Sequence, residues 1–183
     1  MALAKGLADA LGGRYIFTPP KCLVNFTGVF PRSSTHKNAF FALSLYASAY
    51  NARQLLALDC PVVLNGYWSE QAEFMLSKLF KRKMDLPPIG DPVYDIPADL
   101  MAPDIVILHD SPYYGPLKDA GNRAPPKKLV VYNNFHMRGA EFIFARYESN
   151  ITETVYRILS IIKKKFDHVF NFGPAVPKYL LNI

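Results

Sequence analysis

The 183-residue chain is half apolar and 14% aromatic, enough to build a core of single-domain size and to exclude whole-chain disorder. Its net charge of +6 suits an acidic partner, such as RNA, an anionic membrane surface or a neighbouring subunit. No apolar run approaches the roughly 18–20 residues of a membrane helix, which excludes a helical membrane span.

The first ten residues place Ala and Leu at helical spacing, and Gly12-Gly13 supplies a stop, so Ala2–Leu11 is expected to be a helix. Arg14–Phe17 then reads as a short strand ended by Pro19-Pro20, and Lys21–His36 as irregular chain. Asn38–Leu58 gives the clearest helical signal. Its apolar and small residues leave little room for charge, which predicts burial on more than one side. Pro61–Leu64 is a short, wholly apolar run of the kind a parallel sheet covers on both faces. Ser69–Lys83 is amphipathic, with Ser69 as the expected cap and Glu70 and Glu73 in the first turn.

Leu86–Pro103, rich in Pro and Asp, is expected to wind as a fixed loop. Ile105–Leu108 is a second buried strand, and Pro116–Lys128 a loop. Glu141–Arg146 alternates as a strand does. Ile151–Phe166 reads as a helix with Asn150 or Ser149 as cap, Glu153 in its first turn and Lys163–Lys165 in its last. A tail from 167 to 183 follows, with a strand expected at His168–Phe172. Strands alternating with helices predict an open α/β sheet over residues 1–166, the tail serving as a docking extension or an added strand.

Chemistry-bearing residues are sparse. Cys22 and Cys60 lie far apart and read as free thiols of a reducing compartment. His36, His109, His136 and His168 lack ligand spacing, so no metal site and no cofactor is expected. Asp104 and Asp110 flank one strand, but no catalytic set follows from their spacing.

The order of several short motifs carries a resemblance. Ala39-Phe40-Phe41 is followed by Pro61-Val62-Val63-Leu64-Asn65-Gly66-Tyr67-Trp68. Then come Pro87-Pro88, Pro92-Val93-Tyr94, Pro97-Ala98-Asp99-Leu100 and Pro103-Asp104-Ile105-Val106. This succession resembles the thymidylate kinase family, most closely its mitochondrial UMP-CMP kinase branch, over about Ala39–Pro112. The resemblance implies a P-loop NTPase-type α/β sandwich of three layers on a parallel sheet.

The departures from the family fall on its chemistry. The family's G-x-x-x-x-G-K-S/T loop, which cradles donor phosphates, is absent. The chain starts about where the helix after that loop begins. The family's Asp-Arg-Tyr element is represented by Asn65, Gly66 and Tyr67, one neutral residue and one with no side chain where the family keeps charge beside the reacting phosphates. Tyr113–Pro116 stands in place of its arginine-bearing lid, with Arg123, Lys127 and Lys128 nearby.

Phosphoryl transfer depends almost wholly on positioning and charge stabilisation, so the resemblance implies a pseudoenzyme. Its expected role is a structural or accessory subunit of a larger mitochondrial assembly, a respiratory complex or a mitochondrial ribosome. The alternatives are a UMP, CMP or dTMP kinase or nucleotide-binding regulator, and an RNA-binding module. A residual nucleotide pocket would draw on Arg32, Phe41, Tyr67 and Trp68, with Tyr46 beside them; core packing is the competing role for the aromatics. The family strand order 2-3-1-4-5 without its first strand leaves a gap of about 10 Å, two strand spacings, between Val62–Leu64 and Ile105–Leu108. Closure is expected first, because unpaired buried backbone is costly; insertion of His168–Phe172 or of another chain would also fill the gap.

Overall fold

A computed structural model describes residues 2–32, 34–109, 127–145 and 150–166. In chain order they form α1 (Ala2–Ala10), β1 (Arg14–Phe17), α2 (Lys21–Val24), α3 (Thr35–Leu56), β2 (Val62–Asn65), α4 (Trp68–Leu79), β3 (Ile105–His109), α5 (Lys127–Asn134), β4 (Glu141–Ala145) and α6 (Ile151–Phe166). The fold is mixed α/β with short parallel sheets. The chain divides into two compact units, Met1–Asn65 with Glu148–Ile183, and Gly66–Tyr147.

In the first unit β1 and β2 pair in parallel, from Arg14 opposite Val62 to Phe17 opposite Asn65. α1 and α3 pack on both strands and α6 packs on α1. The amphipathic α6 buries Thr154, Val155, Ile158, Ile162 and Phe166. Its start is fixed by the Asn150 side chain, which accepts from the Thr152 N–H at 2.9 Å and so satisfies a donor the helix cannot. Gly6 permits the close approach of α1, since a Cβ there would lie 3.1 Å from Cγ2 of Val155.

α3 starts at Ser34, whose hydroxyl accepts from the Lys37 N–H at 3.1 Å. It stops in a six-residue closure: Cys60 N–H donates to the Leu55 carbonyl and Asp59 N–H to that of Leu56, both at 3.0 Å. Asp59 takes the left-handed conformation (φ 53°) that this stop requires. Where β1 ends, the hydroxyls of Thr18 and Ser48 share a buried hydrogen bond of 2.9 Å, which offsets the cost of placing both away from water.

In the second unit β3 and β4 pair in parallel, from Ile105 opposite Glu141 to His109 opposite Ala145. α4 and α5 pack together over an aromatic cluster. Trp68 lies 4.8 Å from Phe135, ring centre to ring centre, and Tyr94 and Tyr132 meet Phe135 edge-on at 6.2 and 5.5 Å, a geometry the ring quadrupoles favour.

Several expectations change. α4 begins at Trp68, one residue before the expected cap, and no side chain caps it; Ser69 lies inside the first turn. It also ends at Leu79 rather than Lys83, because Phe80 turns extended (φ −103°, ψ 101°). There the Lys127 ammonium donates to the carbonyls of Ser77, Phe80 and Lys81. α5 was not expected, and two short 3-10 turns, Lys83–Asp85 and Pro92–Tyr94, punctuate the winding loop. Among the described residues the strands pair two by two, β1 with β2 and β3 with β4; the expected closure of β2 onto β3 falls between the two units. The expected strand at His168–Phe172 lies outside the described residues.

Candidate interaction surface

The residues expected to line a nucleotide pocket fall in both units. Tyr67 and Trp68 belong to the second unit and are each only 8% exposed. The Tyr67 hydroxyl donates to the Met101 carbonyl at 2.8 Å, and Trp68 packs against Phe135 at a tilt of 60°. Both side chains hold that unit's interior together. Phe41 and Arg32 belong to the first unit. Phe41 is half-buried, edge-on to Phe40 at 5.6 Å, and Arg32 is exposed in the turn before α3.

At the two positions where the resembling family keeps charge, Asn65 closes β2 and its carbonyl accepts from the Thr18 N–H at 3.2 Å. Gly66 has φ 79°, a conformation an L side chain enters only with strain.

The cations near the family's lid position are occupied too. Lys127 caps the end of α4, and Lys128 lies 4.0 Å from a carboxylate oxygen of Glu73 and over the ring of Tyr132. Arg138 is turned to structure as well: its guanidinium donates to the carbonyls of Ala98, Pro97 and Leu100. Tyr113–Pro116, Arg123, Asp110 and His168 lie outside the described residues. Among the described residues no group of three or more His, Cys, Asp or Glu side chains is placed to hold a metal ion, and Cys22 and Cys60 are free thiols. Burial pushes the Cys60 thiol up, against the opposing charge of Arg14.

What the first unit does present is an apolar helix face. α3 buries Phe40, Ser44, Leu45, Ser48, Ala49, Ala52 and Leu55. At 100° per residue the opposite side carries Ala39, Ala42, Leu43, Tyr46 and Tyr50 in one stripe. Leu43 is 60% exposed, Tyr46 39% and Tyr50 64%, and Arg53 is the first charge the stripe meets. A helix apolar on both sides is expected to be covered on both. Sequence reasoning anticipated burial on more than one side of this helix, but not the exposure of Leu43, Tyr46 and Tyr50. The signal was the absence of Lys, Arg, Asp and Glu between Asn38 and Arg53.

No protein-family model matches the chain, and neither a curated protein nor a solved structure matches it at a significant level. Among the described residues no helix is long and apolar enough to cross a membrane.

Proposed function

We propose that this chain is a non-catalytic, kinase-like structural subunit of a larger mitochondrial assembly, a respiratory complex or a mitochondrial ribosome, held there through protein–protein contacts. The observation that carries the reading is the uncharged, solvent-facing stripe of α3. An apolar helix face of three turns with two tyrosines suits an interface core, where aromatics are enriched and charges depleted.

Three further observations support the loss of catalysis. Asn65 and Gly66 stand where the resembling family keeps charged groups, a difference independent of where the chain starts. The left-handed backbone at Gly66 disfavours any side chain that would restore that charge. Tyr67 and Trp68 are spent on internal packing. The parallel pairing of the strands, β1 with β2 and β3 with β4, supports a thymidylate kinase-like α/β arrangement. The mitochondrial location rests on the branch resembled.

The competing reading, a UMP, CMP or dTMP kinase or nucleotide-binding regulator, is separated by titration calorimetry. The full chain is expected to give no saturable heat with any of the three nucleotides, with or without ATP and Mg²⁺. Micromolar affinity for one of them, or phosphoryl transfer from ATP, would overturn the proposal.

A further inference from the structure

The end of α4 holds a group of side chains that the subunit reading does not use. The unit Gly66–Tyr147 is balanced in charge, with ten Lys and Arg against ten Asp and Glu. Four of those ten cations, Lys78, Lys81, Arg82 and Lys83, fall within six residues, and all four are exposed. Balance over the unit therefore conceals a local concentration of positive charge.

Lys78 complements the α4 dipole from its last turn, but Lys81, Arg82 and Lys83 lie beyond the helix end. Arg82 is engaged within the chain, its guanidinium donating to both carboxylate oxygens of Asp85 at 2.9 and 2.7 Å. No ion pair among the described residues engages Lys78, Lys81 or Lys83. The main chain beneath them is held in place. The Lys127 ammonium donates to the carbonyls of Ser77, Phe80 and Lys81. The N–H groups of Asp85 and Leu86 donate to the carbonyls of Arg82 and Lys83 at 3.2 and 3.3 Å.

Large apolar side chains interleave with these cations. Leu79 is 65% exposed, Met84 79%, and Phe74, one turn before Lys78, 61%. A single exposed apolar residue is ordinary; three among four cations call for a partner that takes both kinds. An RNA backbone would pair with the lysines and leave Leu79 and Met84, which cannot stack on bases, in water. A protein interface core is enriched in aromatics and Arg and depleted in Lys, the reverse of three lysines around a leucine and a methionine. The headgroup boundary of an anionic bilayer takes both, ammonium groups meeting lipid phosphates while the apolar side chains enter the acyl boundary.

We propose that, independently of any subunit role, the segment Lys78–Met84 docks on an anionic lipid surface. Lys78, Lys81 and Lys83 meet the headgroups, and Leu79 and Met84 insert between them. A contact of this size attaches the chain reversibly and does not anchor it.

Co-sedimentation of the full chain with vesicles tests this, using phosphatidylcholine with about 30% phosphatidylglycerol against phosphatidylcholine alone. Partition onto the anionic vesicles is expected to be stronger by at least about tenfold and to fall as salt rises. Lys81→Gln with Lys83→Gln, and separately Leu79→Ser with Met84→Ser, should each weaken it about tenfold. Lys5→Gln with Lys21→Gln removes the same charge from the other unit and should change partition less than about twofold.

Equal partition onto the two kinds of vesicle, or none onto either, overturns the proposal. An equal loss with the Lys5 and Lys21 pair overturns it too, since the attraction would then belong to the charge of the whole chain. Full retention by the serine pair would leave a purely electrostatic contact, and salt-sensitive binding of polyuridylate without vesicle binding would assign the lysines to RNA; either result defeats it. All the altered positions are exposed, so the urea midpoint should not move. Met84→Gln alone, at the more exposed of the two apolar positions, repeats the apolar test should the serine pair shift that midpoint.

Discussion

Gly13 shows how one missing side chain sets a strand register. A Cβ there would lie 2.0 Å from the Pro61 carbonyl oxygen, the group that accepts from Arg14 N–H to open the β1–β2 ladder. Gly13→Ala must push these strands apart and should cost about 3 kcal/mol, read as a lower urea midpoint. An unchanged midpoint would mean the register is not set there. From the sequence Gly13 was legible only as half of a helix stop; that it lies against Pro61 depends on a pairing across nearly fifty residues.

Tyr132 makes a second residue-scale prediction. Burial, with Glu73 and Glu70 adding to it, holds its phenol well above the ordinary value of 10.0. Below that value the phenol is protonated in both folded and unfolded chains, and its contribution to stability is whole. Above it the unfolded chain releases the proton and the folded one keeps it, so stability falls as pH rises. Tyr132→Phe should flatten this fall between pH 10 and 11 by up to about 1.4 kcal/mol per pH unit. An unchanged slope in denaturant titrations would place the phenol in water.

At the scale of elements, the exposed apolar residues of α3 are the feature with the largest consequence. Leu43→Lys with Tyr50→Lys alters only exposed positions, so the isolated chain should keep its stability within about 0.5 kcal/mol. If the stripe is the centre of an interface, the same pair should weaken incorporation by roughly thirtyfold or more. Incorporation equal to that of the unaltered chain would remove the face from the account.

Elements with strong local signals were legible in sequence. α6 follows from its periodicity and cap, β1 from the glycine and proline punctuation around it, and α3 from its composition. α5 was not legible, because Val130, Val131, Asn133 and Asn134 are indifferent helix formers and the helix is held by packing on α4, with Val131 and Tyr132 buried. The limits of α4 were missed for a similar reason, since a distant lysine, Lys127, caps its end. Arg32, Phe41, Tyr67 and Trp68 were legible as notable residues but not by role, because an aromatic that stacks on a base and one that packs against Phe135 leave the same mark in sequence.

At the scale of the whole molecule, the motifs in order, the two parallel strand pairs and the exposed apolar residues of α3 are what the proposed subunit role rests on. That strands alternate with helices was evident from hydropathy. How they pair was not, because pairing depends on which neighbours are present, and a strand apolar on both faces looks the same at an edge as at a centre. The account stands most directly on the native size of the protein in its source. In mild-detergent extracts resolved by size-exclusion chromatography, the chain should elute with a large assembly and with a constant set of co-migrating subunits. A lone peak at the 20.6 kDa of the single chain would contradict it.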